Sequence, residues 1–167
     1  MFASQKSNPS HVSRVFPPIP HPHAPYGAQG VEDMVMIWHH HEPKKVFENP
    51  FQTAITVVDW THDGNVVLAG SITGEVLAWR LDTGERLLAN RHAHSYAPIV
   101  GVSCSPGGAY VVAITMAQTI QIWRVETRTC LVLPCHGKTT TITWERDGSG
   151  FRTNDGVDWS IPMEGRS

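Results

Sequence analysis

Three observations in the 167-residue sequence predict an all-β fold built from repeated four-stranded antiparallel units. Short runs rich in Val, Ile, Thr and Trp alternate with glycine-centred turns. Four tryptophans, Trp38, Trp79, Trp123 and Trp159, recur at spacings of 41, 44 and 36 residues. A second landmark also repeats. Trp60-Thr61-His62-Asp63-Gly64 aligns with Cys104-Ser105-Pro106-Gly107-Gly108 44 residues later, and with Trp144-Glu145-Arg146-Asp147-Gly148 after a further 40. Units of about 40–45 residues are long enough for four short strands and their turns.

The elements follow in order. Residues 1–30 hold Ser, His, Pro and Gly without an apolar period, so a disordered leader is expected. Its PxxP spacings at Pro17/Pro20 and Pro22/Pro25 suit polyproline geometry. Residues 31–50 supply the last two strands of a leading unit, ending near Trp38 and its successors. Residues 51–92 and 93–134 each supply a full unit. In both, the second tryptophan falls 19 residues after the first landmark. Residues 135–162 form a shortened unit, because Trp159 follows Trp144 by only 15. Residues 163–167 are a tail. Gly64, Gly108 and Gly148 are expected at positive φ, which tight turns require and which only glycine adopts without cost.

These landmarks resemble the WD repeat, whose units are the blades of a β-propeller. Ala93-His94 and Cys135-His136 stand where that family has Gly-His, and Cys104 to Gly108 is nearest to its Ser-Pro-Asp-Gly turn. The resemblance spans residues 31–162. It departs at the closing dipeptide, which reads Trp-His, Trp-Arg, Trp-Arg and Trp-Ser and never Trp-Asp. The family's buried His–Ser/Thr–Asp–Trp network is also incomplete. The unit at 93–134 offers His94, Thr115 and Trp123, with Ala117 at the turn-Asp place. The unit at 51–92 offers Ser71 and Trp79, with Thr73 at the turn and no matching His. His136 and Trp159 are the corresponding structural positions of the last unit. The resemblance implies a partial, open propeller of about three four-stranded blades. Closed rings typically use 4–8 blades. The chain is therefore expected to be a piece of a longer protein, to complete a ring with itself or with partner blades, or to be a decayed product. The resemblance further implies a non-catalytic scaffold that binds protein segments. Ile72 and Met116 in the second-to-third strand turns, and Tyr96 and Lys138 before the first strands, are the expected binding residues.

Composition narrows the function classes. A net charge of −2 predicts no strong attraction to nucleic acid or anionic membrane. No apolar run reaches the roughly 18–20 residues that span a bilayer. Three cysteines are too few and too odd for a disulfide framework and point to an intracellular, reducing compartment, cytoplasmic or nuclear. Ten histidines invite an alternative, a histidine-based metal- or small-molecule-binding β protein. The triplet His39-His40-His41 alternates faces on a strand, so it cannot bring all three rings to one ion without a bend. His136-Gly137-Lys138-Thr139 ends like a phosphate loop, but Val132 replaces the leading glycine. Gly101 to Ser105 lacks the final glycine of a nucleophile elbow. No cofactor and no catalytic residue is expected.

Overall fold

A computed structural model describes residues 17–161. It is all-β: an open, partial propeller of four antiparallel sheets, with no helix among the described residues. Blade 1 holds β1 (Ile19–Pro20), β2 (Tyr26–Val31), β3 (Met34–His39) and β4 (Glu42–Glu48). Blade 2 holds β5 (Ile55–Trp60), β6 (Val66–Ser71), β7 (Glu75–Arg80) and β8 (Arg86–Arg91). Blade 3 holds β9 (Ile99–Cys104), β10 (Tyr110–Thr115), β11 (Thr119–Arg124) and β12 (Cys130–Pro134). Blade 4 holds β13 (Ile142–Trp144), β14 (Gly150–Thr153) and β15 (Asp158–Ser160), three strands among the described residues.

The leading unit is larger than the sequence implies. Strands β1 and β2 lie inside residues 1–30 or begin there, so the expected half blade at 31–50 is a complete four-stranded sheet. The proline-rich run enters the sheet because β1 is a two-residue edge strand, where a missing N–H costs no ladder bond. His21 secures the entry. Its Nε2 hydrogen-bonds the Gly64 carbonyl at 2.9 Å, and its ring meets Trp60 edge-on at 4.8 Å. The indole N–H of Trp60 donates to the Ile19 carbonyl at 3.0 Å.

The repeat is visible in the register. Each landmark tryptophan of a third strand pairs with Gly27, Val67, Val111 or Phe151 of the second strand. In blades 2, 3 and 4 this pair packs toward the preceding blade. The neighbouring pair points the other way, as successive strand residues must. Ala28–Ile37, Leu68–Ala78 and Val112–Ile122 pack toward the following blade. Three apolar layers result. Phe47 of blade 1 stacks on Trp79 at 5.5 Å in the first, and Leu88 joins Trp123 in the second. Phe151 and Trp159 meet Ile120 and Ile122 in the third. Blades 2 and 3 are covered on both faces, which is why β6, β7, β10 and β11 are almost wholly buried.

The three expected turn glycines have φ of +74° at Gly64, +74° at Gly108 and +71° at Gly148. At Gly64 a side chain would also collide with the His21 ring.

All three cysteines are free thiols. Burial pushes the Cys104 and Cys130 thiols up to about 12. The thiolate is the reactive form, so both should react slowly with iodoacetamide in the folded protein and rapidly after unfolding. Equal rates in the two states would contradict the packing described for β9 and β12.

Candidate functional site

Antiparallel strands put the second-to-third strand turns and the blade-to-blade loops at one end of the stack. These are the turns at 32–33, 72–74, 116–118 and 154–157, and the loops at 49–54, 92–98 and 135–141. The two sets touch. Asn154 accepts hydrogen bonds from the Thr140 and Thr141 N–H groups and donates to the Lys138 carbonyl.

This end carries most of the large exposed apolar side chains. Phe51 (40% exposed), Ile72 (48%), Tyr96 (64%), Met116 (66%) and Val157 (39%) all lie there. Among the described residues, the other exposed large hydrophobics sit on strands β1, β4 and β12, and none in the turns of the opposite end. This row of turn and loop positions is the candidate interaction site, since exposed apolar side chains mark one where they form a continuous patch. Of the four expected binding residues, Ile72, Tyr96 and Met116 are in this row, and Lys138 is exposed in the 135–141 loop. Phe51 and Val157 do not stand out in the sequence, although both occupy the turn and loop classes that supplied the other four.

Beneath the row lies a buried carboxylate that no sequence motif marks. Glu75, the first residue of β7, is fully buried. It accepts hydrogen bonds from the hydroxyls of Ser71, of Thr73 at 2.6 Å and of Thr53 at 2.8 Å, and from Arg91 Nη1 at 3.0 Å. Burial alone would raise its pKa; the hydroxyl donors from Ser71, Thr73 and Thr53 overcome this and hold it below its ordinary value. The donors come from three different segments. Thr53 belongs to the loop that carries Phe51, and Asn49 braces that loop by donating to Thr53 and accepting from the Phe51 N–H. Ser71 and Thr73 bracket Ile72. Arg91 stacks on the Tyr96 ring at 4.5 Å. One carboxylate thus ties together the segments bearing Phe51, Ile72 and Tyr96.

Blades 3 and 4 satisfy their tryptophans with partners other than histidine. His94 and His136 are exposed. In blade 3 the Trp123 indole donates to Gln121 Oε1 at 3.0 Å, and Gln121 donates to Ser95 Oγ at 3.0 Å. Thr115 bonds Thr119 instead, at 2.7 Å. In blade 4 the Trp159 indole donates to Thr153 Oγ1 at 3.0 Å, Thr153 to Asp155 at 2.5 Å, and Thr139 to Asp155 at 3.1 Å. Blade 4 therefore keeps a turn Asp, with Thr139 filling the place of His136. Its signal was readable as Thr153-Asn154-Asp155 ahead of Trp159. In blade 1 the Trp38 Nε1 is buried without a partner among the described residues.

The histidines of the metal alternative meet in pairs, His39 with His40 at 4.3 Å, His23 with His62 at 5.9 Å and His92 with His94 at 5.9 Å, and also make other structural contacts. His21 and His23 bond the carbonyls of Gly64 and His62. His39 lies against Tyr26 at 4.9 Å, and His40 and His41 form a left-handed turn with φ of 47° and 70°. Among the described residues, no three His, Cys, Asp or Glu side chains are grouped to hold a metal. No helix among the described residues is long and apolar enough to cross a membrane.

Fold and loop end together define a class: an open set of propeller blades presenting one apolar loop surface. No family model matches the chain. Over 158 residues, 90% of this chain, it is 27% identical to echinoderm microtubule-associated protein-like 2 of Rattus norvegicus, covering 24% of that protein. Over 72 residues, 42% of this chain, it is 32% identical to the SIR4-interacting protein SIF2 of Saccharomyces cerevisiae, covering 13% of it. The chain is therefore similar, at low identity, to WD-repeat proteins, and spans about a quarter or less of their length.

Proposed function

We propose that this chain is a non-catalytic protein-interaction module whose docking surface is the loop end. The single observation that carries this reading is the clustering of Phe51, Ile72, Tyr96, Met116 and Val157 at that end. The Glu75 hub supports it, because an anchor side chain held in place before binding loses less entropy on docking. Tyrosine is a frequent interface anchor, and Arg91 restrains Tyr96 from below. The similarity to WD-repeat proteins supports a scaffold role, and the names of both relatives describe association with another component.

The test places a photo-crosslinking residue at position 96 or 116, and separately at 83 or 127 on the opposite end. Protein adducts should form from 96 and 116 and be scarce from 83 and 127. Equal yields from both ends would remove the assignment. In parallel, replacing Ile72, Tyr96, Met116 and Lys138 by serine should abolish the adduct-forming partner's binding. Because all four are exposed, the melting temperature should fall little, each change being worth within about 0.5 kcal/mol. Equal loss of stability and binding would make these residues part of the core.

A further inference from the structure

At the loop end, four segments follow one another as a continuous strip. The Ile72 N–H donates to the Ala54 carbonyl at 2.8 Å, which joins the turn at 72–74 to the loop at 49–54. A Cβ placed on Gly74 would meet the carbonyl oxygens of Ser95 and Ala97 at 2.9 and 3.1 Å, so the same turn lies against the loop at 92–98. The Met116 N–H donates to the Pro98 carbonyl at 2.8 Å and brings the turn at 116–118 alongside that loop. Phe51, Ile72, Tyr96 and Met116 are the exposed large apolar side chains of these four segments. None of the four contains Asp, Glu, Lys or Arg. The flanking Glu75 and Arg91 are paired with each other.

Two glutamines stand in the first and last of these segments, and both hold a backbone conformation that suits glycine. Gln52 has φ of 55° and Gln118 φ of 60°. Each donates its N–H to the carbonyl three residues earlier, Gln52 to Asn49 at 2.9 Å and Gln118 to Thr115 at 3.1 Å. The same bond closes the equivalent turns of blades 2 and 4, from Gly74 to Ser71 and from Gly156 to Thr153. There the left-handed residue is glycine, with φ of 91° and 85°. In the left-handed region a Cβ crowds the following carbonyl, so a residue other than glycine destabilises the turn. The fold uses the Gln118 backbone, whose carbonyl accepts the Cys135 N–H at 2.9 Å, and glycine would serve as well there. The side chains of Gln52 and Gln118 are exposed and make no hydrogen bond among the described residues. A strained residue whose side chain the fold does not use points to a contact outside the fold.

We propose that the loop end binds an extended, uncharged peptide segment, and that Gln52 and Gln118 each grip one residue of its main chain. A carboxamide offers an acceptor and a donor side by side. The N–H and C=O of one extended residue point to the same side and complete that pair, as they do between antiparallel strands. Apolar side chains of the segment rest on Phe51, Ile72, Tyr96 and Met116. An uncharged strip gives a charged segment no partner for the hydration it would lose. The assignment rests on the loop end being a docking surface and names its occupant.

The probes are N-acetylated, C-amidated octapeptides with leucine or phenylalanine at alternate positions and serine or threonine between. The pool is passed over the immobilised chain, and the best-retained sequence is titrated by fluorescence anisotropy. It should bind with a Kd below about 1 mM, and a pool without such a peptide overturns the proposal. N-methylation of that peptide, one backbone amide at a time, should weaken binding about tenfold at two positions, because each methyl group removes a donor that a glutamine accepts. Gln52→Glu and Gln118→Glu keep the side-chain shape and replace the amide donor by a carboxylate. Each should weaken binding about tenfold with an unchanged melting temperature. Gln118→Gly should weaken it as much while the melting temperature holds or rises, the reverse of what loss of a fold-supporting side chain does. Glutamine variants and methylated peptides that bind like the originals overturn this inference and leave the loop-end reading standing. The loop-end reading has its own failure, binding that survives the serine replacements of Ile72, Tyr96, Met116 and Lys138, and that outcome overturns both. Tighter binding by a pool with aspartate or lysine in place of serine also overturns the inference, because the occupant is then charged.

Discussion

Trp123→Ala should destabilise the folded chain by about 3–5 kcal/mol. Trp123 is 3% exposed and packs among Leu68, Val76, Ala78 and Leu88 of blade 2. Truncation removes that contact and leaves a cavity between two sheets that are each braced on their far side, so collapse around the gap is restricted. It also strips the donor from Gln121 Oε1, in a side chain with no solvent exposure. Trp38→Ala offers the internal control. The same residue type at the same blade position faces outward in blade 1, and its indole N–H has no partner to lose among the described residues. Its loss should be clearly smaller. Denaturant unfolding of the two variants measures the difference directly; equal losses would mean that the blades do not pack in the direction assigned.

Glu75→Ala should cost about 3 kcal/mol, because it leaves three hydroxyls and Arg91 without their shared acceptor. Arg91 is partly exposed and recovers some hydration, which keeps the figure below the cost of stranding a fully buried cation. Stability should also depend on pH through this group. Its folded-state pKa is depressed, so the unfolded chain takes up the proton first as pH falls. The contribution is fully present above the ordinary glutamate value of 4.5 and is lost as pH falls below it toward the depressed folded value. Glu75→Gln should flatten this acid limb of the stability profile. An unchanged slope in that variant would show that the carboxylate is not the charged hub. The change should also loosen Tyr96, so partner binding should suffer with stability here, unlike in the surface variants.

The blades were legible because large residues recur at fixed register. Trp79, Trp123 and Trp159 mark one place in successive sheets, and Gly64, Gly108 and Gly148 mark one turn. Strands β1 and β2 were hidden because prolines at 17, 18, 20, 22 and 25 read locally as a leader. Their place depends on distant partners, His21 with Gly64 and Ile19 with Trp60. The exposure of Ile72, Tyr96 and Met116 was legible from position within the repeat. The polar supports beneath them were not, because each blade satisfies its interior differently. Glu75 sits within an apolar run, and nothing local shows that Thr53 and Arg91 converge on it. Gln121 occupies a strand position where a hydrophobic residue would serve equally well by pattern.

Among the described residues the blades form a directional stack in which blades 2 and 3 are covered on both faces and blades 1 and 4 on one. Native-state hydrogen exchange of the full chain tests that order most directly. The amides of β6, β7, β10 and β11 should be the slowest to exchange, with those of β1 and β15 the fastest among the strands. Protection of the four interior strands no greater than that of β1 and β15 would contradict the stack.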